Sequence, residues 1–218
     1  MAYHIDAEKI SLADLQKRIE ATDLVPSRTS LLDGLGQNMK VLEKQGVTTL
    51  AHLRNELKTS RRLETLAKTT GIETQYLTLL RREIEGWFPK PFPLKDFDWI
   101  PKSEVAKLER HGIRNAADLY EAANSKIKRT TLAKSTGADI VILETLVQLT
   151  DLTRVQWVSP TTARMLLETG CNSAARLAKM NADELCEALV NVNAGNRFFK
   201  GKIGLRDVKR LIHAASYV

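Results

Sequence analysis

Apolar residues along this chain recur three and four positions apart, and nowhere do they alternate with polar ones for long enough to make a strand. The windows fall into a repeating order. A helix runs up to a glycine, a short helix follows, a third begins after a polar cap, and a fourth closes the set. This pattern predicts helices at about 37–45, 49–57, 60–69 and 73–85, then 103–111, 115–122, 125–135 and 139–150, then 160–169, 173–179, 182–190 and 204–216. Ahead of them Ser11, with Asp14 three residues on, opens a further amphipathic helix with Leu12, Leu15 and Ile19 on one face. The expected fold class is all-α.

The order repeats because the sequence does. Shifted by 66 positions, residues 42–71 lie on 108–137 without a gap, and eleven of the thirty pairs are identical. About two would coincide by chance. The clearest stretch is LAKTTG (66–71) against LAKSTG (132–137). A third copy follows at another spacing, in which Leu166, Gly170 and Leu177 repeat Leu42, Gly46, Leu53 and Leu108, Gly112, Leu119. The glycine suits a helix C-terminus in the left-handed conformation. Thr48, Asn115 or Ser173 then stands near the N-cap of the next helix, and Asn181 with Glu184 makes a capping box further on.

These signals divide the chain into an N-terminal helix (1–22), a first helical unit (23–86), a proline- and aromatic-rich linker (87–98), a second unit (99–153) and a third (154–218) with a basic C-terminal helix. The stretch GWFPKPFPLKDFDWIP (86–101) has four prolines and cannot be a continuous helix. Its aromatics suit a packed strap lying extended across both neighbours, or, beside the lysines, a base-stacking surface.

Charge adds a partner class without choosing one. The net charge is +7, with +4 in residues 23–95, +5 in 154–218 and −1 in 96–153. Two basic surfaces could track phosphates, or the excess could simply keep the protein in solution. No run of 18 apolar residues predicts a membrane span, and Met1 to Ile10 lacks the apolar core of a signal peptide. Cys171 and Cys186 are too few for a disulfide framework and suit a reducing cytoplasm. His4, His52, His111 and His213 are scattered without metal-ligand spacing, and no lysine-serine or lysine-threonine step follows Gly34 and Gly36 as a P-loop needs. His111, just before its glycine, is placed to meet the last carbonyls of its helix. No catalytic constellation assembles, so neither an enzyme nor a cofactor is expected.

The residues leading into each first helix carry the functional clue. They read Gly34-Leu35-Gly36-Gln37-Asn38, Trp99-Ile100-Pro101-Lys102-Ser103 and Trp157-Val158-Ser159-Pro160-Thr161-Thr162-Ala163. Each resembles the helix-hairpin-helix motif of DNA repair and recombination proteins, though only the first keeps both glycines. The run 146–185, with Asp151, Leu152, Arg154, Gly170, Leu177, Ala178 and Asn181, is similar to a bacterial family of unknown function with helix-hairpin-helix-like repeats, over most of residues 31–218. The resemblance implies tandem helix-hairpin-helix-like (SAM-like) repeats behind an N-terminal helix. The family leaves function open, but the motif resemblance implies sequence-independent DNA contact, because glycines let backbone approach a phosphate and helix N-terminal amides aim donors at it. The contacts would be Gly34, Gly36, Gln37 and Asn38 with Lys40, then Ser159, Thr161 and Arg164, then Arg197, Lys200, Lys202 and Arg206. The last four belong to a segment, 193–215, with six bases, one acid and the pair Phe198-Phe199. That segment reads equally as a phosphate-binding loop or as a solvated helix face with both phenylalanines capping the core. The competing partner is another protein, bound along helical faces.

Overall fold

A computed structural model describes residues 2–218, and among them there are helices and turns but no strand. The chain divides into two compact units: Ile5–Phe88, and Pro89–Val218 together with the N-terminal residues up to His4.

The unit Ile5–Phe88 holds α1 (Leu12–Ala21), α2 (Leu35–Lys44), α3 (Leu50–Leu57), α4 (Ser60–Thr70) and α5 (Thr74–Glu85). Ser11 starts α1 by accepting from the Asp14 amide at 3.1 Å and donating to its carboxylate at 2.7 Å. Leu12, Leu15 and Ile19 of α1 are buried with Met39 and Leu42 of α2, Leu50, Leu53 and Leu57 of α3, and Leu77, Leu80 and Ile84 of α5. Helical spacing puts these leucines on one face of each helix, and burying each contributes on the order of 2 kcal/mol. One carboxylate joins that core. Glu83, 2% exposed, meets Arg28 at 2.6 Å and accepts from Trp87 Nε1 at 3.3 Å, and the Arg18 guanidinium lies 3.8 Å from the Trp87 ring centre.

The unit Pro89–Val218 holds α6 (Lys102–Arg110), α7 (Ala116–Ala122), α8 (Lys126–Thr136), α9 (Ile140–Leu152), α10 (Pro160–Glu168), α11 (Ala174–Leu177), α12 (Ala182–Val192) and α13 (Leu205–Ala215). Its core runs from Leu94 and Phe97 through Leu108, Leu119, Leu146 and Leu149 to Leu166, Leu177, Leu189 and Val208.

One turn occurs three times. After α2, α6 and α10 the chain reverses at Gly46, Gly112 and Gly170, with φ of 82°, 83° and 83°. The next residue's amide reaches back to the helix, Val47 to Leu42 O at 3.1 Å, Ile113 to Leu108 O at 3.2 Å and Cys171 to Leu166 O at 3.0 Å. The glycine amide closes the inner bond, as from Gly46 to Glu43 O at 2.9 Å. This is the Schellman pattern, and both ends of its apolar contact (Val47 with Leu42, Ile113 with Leu108, Cys171 with Leu166) are buried. His111 adds a side-chain contact, Nδ1 to Lys107 O at 3.0 Å.

The short helix after each turn is capped the same way. Thr49, Asn115 and Ser173 accept from the amides of His52, Asp118 and Arg176. The first cap is therefore Thr49, whereas Thr48 turns its hydroxyl to His52 Nδ1 at 3.2 Å. The full reciprocal capping box forms at Asn115 and Asp118. Asn181 accepts from the Asp183 and Glu184 amides as an N-cap. The LAKTTG and LAKSTG stretches also end alike. Thr70 and Thr136 donate to the carbonyls of Leu66 and Leu132 and accept from the amides of Ile72 and Ala138.

The stretch 86–101 divides between the units. Trp87 and Phe88 pack in the core of Ile5–Phe88, while Phe92, Leu94, Phe97, Trp99 and Ile100 pack in that of Pro89–Val218. Phe92 O accepts from the first amide of α7, Ala116, at 2.8 Å, just as Ile10 O accepts from the first amide of α3, Leu50, at 2.9 Å.

Candidate nucleic-acid interface

At the first hairpin Gly34 takes φ 68°, and α2 starts directly after it with buried Leu35. No side chain caps α2, so the amides of Leu35, Gly36 and Gln37 keep their donors at the positive end of the helix. Gly36 serves packing as well. A Cβ there would stand 3.3 Å from Nε2 of Gln16, whose side chain crosses from α1 and is tied to Glu20 at 2.7 Å. Gln37 and Lys40 are exposed and Asn38 is half-buried. Asn38 lines an open cavity of about 410 Å³ with Asp33, Glu73 and Tyr76, and the two acids oppose an anion there. Burial pushes the Tyr76 hydroxyl up, although the Asn38 side chain bonds to it and pulls the other way.

At the second hairpin Lys102 and Ser103 open α6 in solvent, behind Pro101. At the third, Trp157 holds φ 69° and is 46% exposed, an uncommon conformation for a bulky residue. Ser159 caps α10 by accepting from the Thr162 amide at 3.1 Å. Pro160 has no amide proton, so the amide of exposed Thr161 is the donor left over.

Two of the cations read as phosphate ligands are drawn together on one carboxylate. Arg164 lies 3.3 Å from Glu168, and Arg197 meets the same group at 2.9 Å. The Arg164 guanidinium also lies 4.9 Å from the Trp99 ring centre and 5.0 Å from that of Phe198, with Arg197 at 4.5 Å from Phe198. Lys200, Lys202 and Arg206 follow, all exposed. The candidates of the first hairpin belong to one unit, and those of the third hairpin and the basic segment to the other.

Sequence reading missed the organiser of that segment. Asn193 is 8% exposed, and its side chain holds the backbone of both following phenylalanines. Phe198 turns inward, half-buried, while Phe199 stays 50% exposed instead of capping the core. The signal was Asn193 followed by Gly195-Asn196, the last two being residue types that tolerate the left-handed conformation they adopt. The Asp151 and Arg154 step is a structural clasp. The pair meets at 2.6 Å, Asp151 accepts from the first amide of α11 at 2.8 Å, and Arg154 donates to Tyr3 O at 2.7 Å beside the Tyr120 ring.

Among the described residues no group of three or more His, Cys, Asp or Glu side chains is placed to hold a metal ion. Cys171 is buried, and burial pushes its thiol up, away from the reactive thiolate. Among the described residues no helix is long and apolar enough to cross a membrane.

Fold and surface together define an all-helical protein with glycine turns between its helices and a cationic loop before the last one. The chain belongs to the family described as a domain of unknown function, DUF4332, whose model matches residues 99–217, more than half of it. Of the resemblance expected over most of 31–218, this match supports a domain of unknown function over residues 99–217. No curated protein and no solved structure matches the chain.

Proposed function

We propose that this chain is a non-enzymatic binding protein of tandem helix-hairpin-helix-like units that contacts nucleic-acid phosphates without reading base sequence. The observation that carries this reading is the stretch from Arg197 to Arg210. It holds six bases and one acid, with Arg197, Lys200, Lys202, Arg206 and Lys209 all exposed. Cations gathered this densely release condensed counterions on meeting a phosphate backbone, which gives affinity without sequence preference. The uncapped N-terminus of α2, with exposed Lys40 one turn on, supports a second phosphate contact on the other unit. Unpaired Cys171 and Cys186 suit a reducing cytoplasm as its compartment.

A protein-binding scaffold is the second reading. It is favoured by Gln16 lying over Gly36 and by Ser159 consuming a donor of α10, both of which narrow the backbone's access to a phosphate.

Fluorescence anisotropy with labelled single-stranded, duplex and branched DNA across a salt series tests the two. Phosphate contact gives binding that weakens log-linearly with salt, and Lys200→Glu with Lys202→Glu lowers the slope by roughly one for each phosphate no longer neutralised. Gly36→Glu with Lys40→Glu, in a folded variant, weakens binding if α2 takes part. Absence of binding to every DNA at low salt removes the nucleic-acid reading and leaves the scaffold.

A further inference from the structure

We propose that the loop between α12 and α13 is a base-stacking site for an unpaired strand, with Phe199 as its platform; this rests on the phosphate-binding reading above. The loop is built rather than loose. Asn193 Oδ1 accepts from the amides of Phe198 and Phe199, both at 2.9 Å, and its Nδ2 donates to Phe199 O at 2.8 Å. One nearly buried amide therefore fixes three backbone groups of the two phenylalanines. The reversal before them uses Gly195 at φ 70° and Asn196 at φ 58°, conformations these two residue types tolerate.

This frame sends the two rings opposite ways. Phe198 packs against the core under the guanidiniums of Arg164 and Arg197. Phe199 stays half-exposed and lies on the backbone of Gly201, where a Cβ would come within 2.5 Å of its Cζ. The ring thus passes close over Gly201, and Arg197, Lys200 and Lys202 flank it on the chain. An exposed aromatic ring on a fixed backbone among cations is the combination that binds single strands. The cations follow the backbone, while the ring stacks on a base that a duplex would keep inside its own stack. A lone ring offers little apolar area to a bilayer, whose interfacial binders bury a whole helix face.

The test uses the full chain and four labelled probes. These are oligo(dT) and oligo(U) of about 16 nucleotides, a duplex of similar length, and vesicles of phosphatidylserine and phosphatidylcholine. The single strands are expected to bind more tightly than the duplex, and a duplex that binds as tightly as both would overturn the stacking site. Phe199→Ala is expected to weaken single-strand binding roughly 5- to 150-fold and duplex binding much less. Phe199→Leu, which keeps apolar bulk but has no π face, should weaken it like Ala, and Phe199→Trp should retain it. If Leu binds single strands as wild type does, or if vesicles bind and single strands do not, the stacking site is overturned. Were the Lys200 and Lys202 reversals to weaken all nucleic acids while the Phe199 variants weakened none, phosphate contact would stand and stacking would fall. Wild type that binds no nucleic acid removes both.

Discussion

Glu104 is buried near the start of α6, yet its carboxyl is held below the ordinary carboxylate range. The chief cause is the Lys107 ammonium hydrogen-bonded to it at 2.6 Å, helped by the Asp139 amide at 2.8 Å and opposed by desolvation. Because the folded pKa lies below the unfolded one, the stabilisation is present above about pH 4 and is lost as pH falls through the folded value. The stability gap between wild type and Glu104→Gln is therefore expected to be widest near neutrality and to close in acid. Urea melts across pH measure it, and a gap independent of pH would contradict the linkage. Little of this was legible in the sequence. Glu104 reads as one more acid in the first turn of a helix, and the loop amide that it binds lies 35 residues away.

Among the elements, the glycine turns were the most legible feature, because a left-handed residue restricts sequence at a single position. No atom lies within 4 Å of a Cβ added to Gly112, so a substitution there meets backbone strain alone. Gly112→Ala is expected to cost about 1 kcal/mol and Gly112→Asn less, since asparagine tolerates φ near 80° better. Denaturant midpoints of the two variants check the order, and equal losses would show that the turn is not what glycine provides. The short-helix caps were readable to within a residue for a similar reason, as few side chains bond an amide two or three positions on. The pairing of Phe92 with Ala116 was not readable. Its counterpart joins Ile10 to Leu50, and the partners stand 24 residues apart in one case and 40 in the other, so a fixed-offset comparison passes over it.

On the scale of the whole molecule, the N-terminus does something that local pattern cannot show. Tyr3 is 2% exposed and belongs with Pro89–Val218, where its hydroxyl hydrogen-bonds Thr153 Oγ1 at 3.3 Å and its ring meets Tyr120 edge-on at 5.9 Å. Tyr3→Ala is expected to destabilise that unit by about 3 kcal/mol, as for other buried aromatics, and to leave Ile5–Phe88 nearly unchanged. Calorimetry of the full chain would show one transition lowered, and equal shifts in both would refute the assignment. Helix periodicity, glycine turns and caps were set by the sequence itself, because each is a bargain struck within about ten residues. Which side chains meet from far along the chain was decided only by tertiary packing. Arg164 and Arg197 share Glu168, Gln16 covers Gly36, and Arg154 reaches the carbonyl of Tyr3. Contacts of this kind join positions that are distant in sequence and close in space, so a linear pattern does not show which of them will meet.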